Sequence, residues 1–154
     1  MLREINQKHP FLLPEIQLYG CLFLCFAPQS WEIFIGDAGV AKLNHMWLTA
    51  KETGIISKDN VILDHNLLLK DIFIMDRVFD GKHHKADEKI DPKVSFVFGE
   101  YFYKSSHFVI ISAKDKRVVY DPLGISNTVK NGKLKSMRWY YAVKELRNLQ
   151  NHAL

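Results

Sequence analysis

Apolar residues recur at helical spacing in the first third of the chain and crowd into strand-like runs in the last third. Over residues 38–53, Val40, Leu43, Met46, Trp47 and Ala50 fall three or four apart, and Gly54 stands where a C-cap belongs. Residues 11–27 also read as helix, with Pro14 tolerated in the first turn and Pro28 as the stop. Residues 61–79 are mixed, with a short helix expected near 65–70 and a strand or turn after it. The polar run 82–92, Lys-His-His-Lys-Ala-Asp-Glu-Lys-Ile-Asp-Pro, reads as an exposed loop. Beyond it, residues 94–103 and 107–113 predict strands. Lys114-Asp115-Lys116-Arg117 predicts a hairpin turn and residues 118–121 the returning strand. Asn131-Gly132 is a turn signal, residues 137–143 a last strand, and a short basic helix is expected to run to the end. Helices first and antiparallel strands later predict an α+β domain. At 154 residues, positions 1–154 read as one domain.

Composition narrows the picture. The chain is 47% hydrophobic and 25% charged, the balance of a globular domain. Its longest apolar stretches, 16–27 and 94–103, are short of the roughly twenty residues of a membrane span, so no membrane partner is expected. The opening Met1-Leu2-Arg3-Glu4 has no apolar core behind it, so a cytoplasmic start is expected rather than a signal peptide. The net charge of +4 is mild and the lysines are scattered, which predicts no nucleic-acid partner. Two cysteines are too few for a disulfide framework, and no neighbouring His completes a zinc site with them. His83 and His84 lie near Asp87, but adjacent histidines on a Lys-rich loop are more often simply solvated. His9 falls in an N-terminal stretch expected to be mobile.

Candidate chemistry sits in two segments about eighty residues apart. The first is Gln17-Leu18-Tyr19-Gly20-Cys21; the second runs from Ser106-His107-Phe108-Val109-Ile110-Ile111 to Val118-Val119-Tyr120-Asp121-Pro122. Gly20 is a natural break, which would put Cys21 in the first turn of a new helical segment. A helix start beside an imidazole favours the thiolate. His107 is expected to open a buried strand, and a short hairpin brings Asp121 near the same end. Gln17, four residues before Cys21, carries an amide suited to an oxyanion. Each residue also has a plainer reading: a core cysteine, a strand-end histidine, an Asp-Pro turn, a solvent-facing glutamine. Cys25 has no break before it and reads as core.

The order Gln, Cys, His, Asp resembles the bacteriocin-processing and related papain-like cysteine peptidases, on Gln17, Tyr19-Gly20-Cys21, His107-Phe108-Val109-Ile110-Ile111 and Val119-Tyr120-Asp121-Pro122. That resemblance implies a papain-like α+β fold, with Cys21 as nucleophile, His107 as base, Asp121 as orienting carboxylate and Gln17 as oxyanion donor. It implies a peptide or protein substrate and requires no metal or organic cofactor. Two features depart from it: Leu22-Phe23 follow the cysteine where the peptidases usually place Gly, and the Gln-to-Cys separation is shorter. The whole chain is also similar to an uncharacterised spirochaete plasmid- and prophage-borne family. Three functions follow as expectations: a thiol hydrolase of amides, an inactive peptide-binding protein on the same fold, or a phage or plasmid interaction protein without a site.

Overall fold

The computed structural model describes residues 5–30 and 37–145. The basic helix expected at the C-terminus falls mostly on residues 146 onward, outside them. The predicted helix 11–27 forms as two pieces, α1 (Pro14–Tyr19) and α2 (Cys21–Phe26), followed by a 3₁₀ turn over Ala27–Gln29 that absorbs Pro28. Pro14 occupies the first turn of α1, where a missing N–H costs nothing. α3 (Asp37–Glu52) buries Val40, Leu43, Met46, Trp47 and Ala50, the stripe its spacing predicts. Gly54 follows it at φ +76°, a conformation that favours glycine. A single turn α4 (His65–Leu67) continues into a π-turn over Leu68–Ile72.

The strands are β1 (Arg77–Phe79), β2 (His84–Lys85), β3 (Phe96–Tyr103), β4 (Ser105–Ile111), β5 (Val118–Tyr120) and β6 (Lys133–Ala142). They form one antiparallel sheet in the order β1-β6-β3-β4-β5, with β2 also on β6. The architecture is α+β, helices first in the chain and the sheet after them. One face of the sheet packs on α1, α2 and α3 through Phe98, Ile110 and Tyr140; Phe26 meets the Phe98 ring edge-on at 4.8 Å. The other face, with Val97, Val109, Ile111, Met137 and Trp139, is covered by Ile90 and Val94.

Four expectations need correcting. His107 does not open its strand: β4 begins at Ser105, because Lys104 at φ +63° turns β3 straight into β4. Asn131-Gly132 is not a hairpin turn but the end of α5 (Asn127–Asn131), whose start is capped by the Ser126 hydroxyl. The 82–92 loop is not simply exposed, and His84 is 7% exposed rather than solvated. Its ring stacks on Trp139 at 3.4 Å and meets Asp80 and Glu88 at 2.7 and 2.6 Å, which pins the loop to β6. Nor is the N-terminal stretch a loose end. The Tyr120 hydroxyl donates to Ile5 O at 2.6 Å, and the Gln7 N–H to Pro122 O at 2.7 Å.

Candidate active site

The thiol is placed by a helix break. α1 ends at Gly20, whose N–H still donates to Ile16 O at 2.8 Å. A Cβ at Gly20 would lie 2.5 Å from Ile16 O and 2.6 Å from Ile16 Cγ2, so only glycine permits this approach. The carbonyls of Ile16 and Gln17 are taken by the buried Gln7 side chain, whose Nε2 donates to both at 3.1 Å. Gln17 O is the acceptor that a continuous helix would offer to the Cys21 N–H. Cys21 is instead the first residue of α2, and its N–H has no backbone partner among the described residues. The rest of α2 is apolar, and Phe23, Leu24, Cys25 and Phe26 are buried. The helix is therefore driven into the core while its first residue stays half-exposed at a cleft.

His107 and Asp121 meet across the β4–β5 hairpin. A register shift between Ile110 and Ile111 alters the pairing with β5, and the chain then turns at Pro122. Nε2 of His107 lies 2.7 Å from Asp121 Oδ1; the two residues are 5% and 9% exposed. Asp121 also accepts the N–H of Leu123 on Oδ1 at 2.9 Å and that of Ser126 on Oδ2 at 3.0 Å. It therefore shapes the turn after Pro122 and holds the imidazole at once. With Nε2 engaged, Nδ1 is the ring nitrogen left for the thiol.

The electrostatics follow from these contacts. Burial alone would push the His107 imidazole down. Hydrogen bonding to Asp121 and to the Cys21 side chain, with the charges of both, outweighs it and holds His107 at about 9. Burial likewise works against the Asp121 anion, but bonds from His107, Ser126 and Leu123 keep its carboxyl below the usual value. Burial drives the Cys25 thiol well up, so Cys25 stays protonated in the core.

Gln17 does not take the place foreseen for it. Its Nε2 donates to His9 O at 2.9 Å, and it is not among the residues lining the cleft beside Cys21. The packing of α1 against the N-terminal arm brings the amide to His9 rather than to the thiol. The cleft has a volume of about 360 Å³ and is lined by Cys21, Leu22, Trp47, Asn60, His65, Ser106, Phe108 and Arg138, among others. Leu22 forms part of its wall without sealing Cys21 from it.

Residues 1–142 match a family described as a protein of unknown function, DUF261. The chain belongs to that family. No curated protein and no solved structure matches it. The site of this DUF261 chain is accordingly read from its own residues. Sequence reasoning missed Gln7, Asn60, His65 and Arg138. None sits in a motif, and each joins the site through contacts distant in sequence. No helix among the described residues is long and apolar enough to cross a membrane, and no group of three or more of their His, Cys, Asp and Glu side chains is placed to hold a metal.

Proposed function

We propose that this protein is a cysteine-dependent hydrolase of amide bonds, a peptidase or amidase of papain-like type. The observation that carries the reading is one imidazole bridging two groups. His107 takes Asp121 at 2.7 Å on Nε2, and the side chain of Cys21, the first residue of α2, is near enough to help raise its imidazole. That is the nucleophile–base–orienter arrangement of covalent acyl transfer. The Cys21 sulfur attacks the carbonyl carbon and a C–S bond forms. His107 passes a proton to the departing amine nitrogen as the C–N bond breaks. Water then attacks the thioester, His107 takes its proton, and the acid leaves as the thiol is restored. The Cys21 N–H, without a backbone partner among the described residues, is the donor offered to the oxyanion.

A second reading has its own support. The Gln17 amide is turned to His9 O, and without a second donor the oxyanion is held less well. That favours an inactive peptide-binding protein using the same cleft. Iodoacetamide separates the two. At about pH 6, a thiol paired with the His107 imidazolium is alkylated faster than free cysteine in the folded protein, and His107→Ala slows it to the free rate or below. Labelling of Cys21 in folded wild type no faster than that of free cysteine would leave hydrolysis without its nucleophile.

A further inference from the structure

The cleft holds a cation that thiol hydrolysis itself does not use. Arg138 lies in β6 with Phe98 of β3 and Ile110 of β4 in its cross-strand row. Its backbone is therefore two strand spacings, about 10 Å, from β4. The side chain crosses that gap: the guanidinium carbon is 5.5 Å from the centre of the Phe108 ring, next in sequence to His107. Arg138 is 6% exposed, yet it lines the cleft with Cys21.

Its donors are only partly used. Nη1 donates to Ser136 Oγ at 2.7 Å and, at 3.5 Å, to Met137 O. Nη2 is 3.7 Å from Glu100 Oε1, beyond hydrogen-bond distance, and that oxygen already accepts from Ser136 Oγ at 2.8 Å. Nε has no partner among the described residues. A guanidinium has five N–H donors in a planar fork that fits a carboxylate. A buried cation so loosely paired is incompletely compensated for its lost hydration.

The surroundings leave Arg138 as the fixed charge. His65 also lines the cleft, but burial, reinforced by the charge of Arg138, pushes it down to about 4, and its Nδ1 is 2.9 Å from the Tyr140 hydroxyl. Among the described residues lining the cleft, His83 is the other histidine and none is Asp or Glu; Glu100, the carboxylate 3.7 Å from Arg138, is not one of them. Tyr19, Leu22 and Trp47 supply an apolar side.

We propose that the cleft takes an amide whose acyl part carries a carboxylate, gripped by Arg138 while Cys21 attacks the carbonyl. This rests on the thiol-hydrolase reading and names its substrate class: an acidic acyl unit, aspartyl or glutamyl in kind, on a small amide or peptide.

Two alkylating agents with one leaving group test it on the full folded chain. Iodoacetate carries a carboxylate and iodoacetamide a neutral amide; in each, the sulfur displaces iodide. The rate ratio, iodoacetate over iodoacetamide, is measured at Cys21 by peptide mass mapping and normalised to free cysteine. The expected ratio exceeds that of free cysteine by about tenfold or more. Arg138→Gln lowers it about fivefold or more, to the level that His107 alone sustains, and Arg138→Lys retains part of the preference. His107 attracts iodoacetate in every variant, so the change on Arg138→Gln isolates the guanidinium. Rapid iodoacetamide labelling of Cys21 with a ratio unaltered by Arg138→Gln overturns the carboxylate assignment alone. Iodoacetamide labelling of Cys21 at about pH 6 no faster than that of free cysteine overturns the hydrolase reading beneath it. If Arg138→Gln does not fold, wild type decides. The α-amide of N-acetylglutamate, and not the α-amide of N-acetylglutamine at equal ionic strength, is expected to slow iodoacetamide labelling of Cys21; equal protection, or none, overturns the assignment.

Discussion

The Gln7 amide donates to the last two carbonyls of α1 that matter to the site, while its own Oε1 has no partner among the described residues. Its backbone N–H reaches Pro122 O, in the turn that Asp121 shapes. One residue thus braces both the Cys21 and the Asp121 sides, which explains why a buried amide is kept there despite an unsatisfied oxygen. Gln7→Glu replaces the donor with an anion facing two carbonyls. We expect it to lower stability by about 2–3 kcal/mol. Gln7→Ala is expected to cost less, because the orphaned oxygen goes with the donor. Urea denaturation of the three proteins checks the order; an Ala variant less stable than the Glu variant would contradict it.

At the scale of elements, the α1–α2 junction decides where the thiol sits. Continuous helix would give Cys21 an ordinary mid-helix N–H and aim its side chain by α1's own periodicity. The break at Gly20 lets α2 take its own direction, set by Phe23 and Phe26 against Trp47, Phe73, Phe98 and Tyr140. Gly20→Ala drives a Cβ into Ile16, and the helix must shift to relieve it. The expected loss is about 1–3 kcal/mol, with slower alkylation of Cys21 and unchanged shielding of Cys25. Denaturant midpoints together with labelling rates check this; wild-type values of both would show that the junction yields without effect.

Across the whole molecule, a buried and a half-buried histidine set opposite limbs of the stability–pH curve. The His107 pKa is raised to about 9 in the folded state. Its contribution is full below the unfolded value of about 6.5 and is lost as pH rises through about 9. His65 is lowered to about 4, so the fold favours its neutral form. That contribution is full above about 6.5 and is lost as pH falls toward about 4. A maximum in melting temperature near pH 6.5 is the expected result. His107→Ala should flatten the alkaline limb and leave the acid limb. An alkaline limb equally steep in that variant would assign the loss to another group.

Periodicity along the chain was enough for α3, for the order of helices before strands, and for the β4–β5 hairpin that carries His107 and Asp121. These are local matters: spacing of apolar residues, turn chemistry, and glycine where a Cβ has no room. The break at Gly20 was legible for the same reason. Other features depended on residues far apart in sequence. Lys104 turning β3 into β4, and Asn131-Gly132 ending α5 rather than making a hairpin, depended on sheet pairing that local turn preferences do not encode. His84 looked solvated because its Trp139 stack lies more than fifty residues away. Gln17 carried the right amide, but α1's orientation against the N-terminal arm directed it to His9 O. Residue types and local spacing named the thiol, the imidazole and the carboxylate. Only the packing of α1, α2 and the arm against the sheet decided how these groups lie relative to one another, because that depends on contacts between segments with no common periodicity.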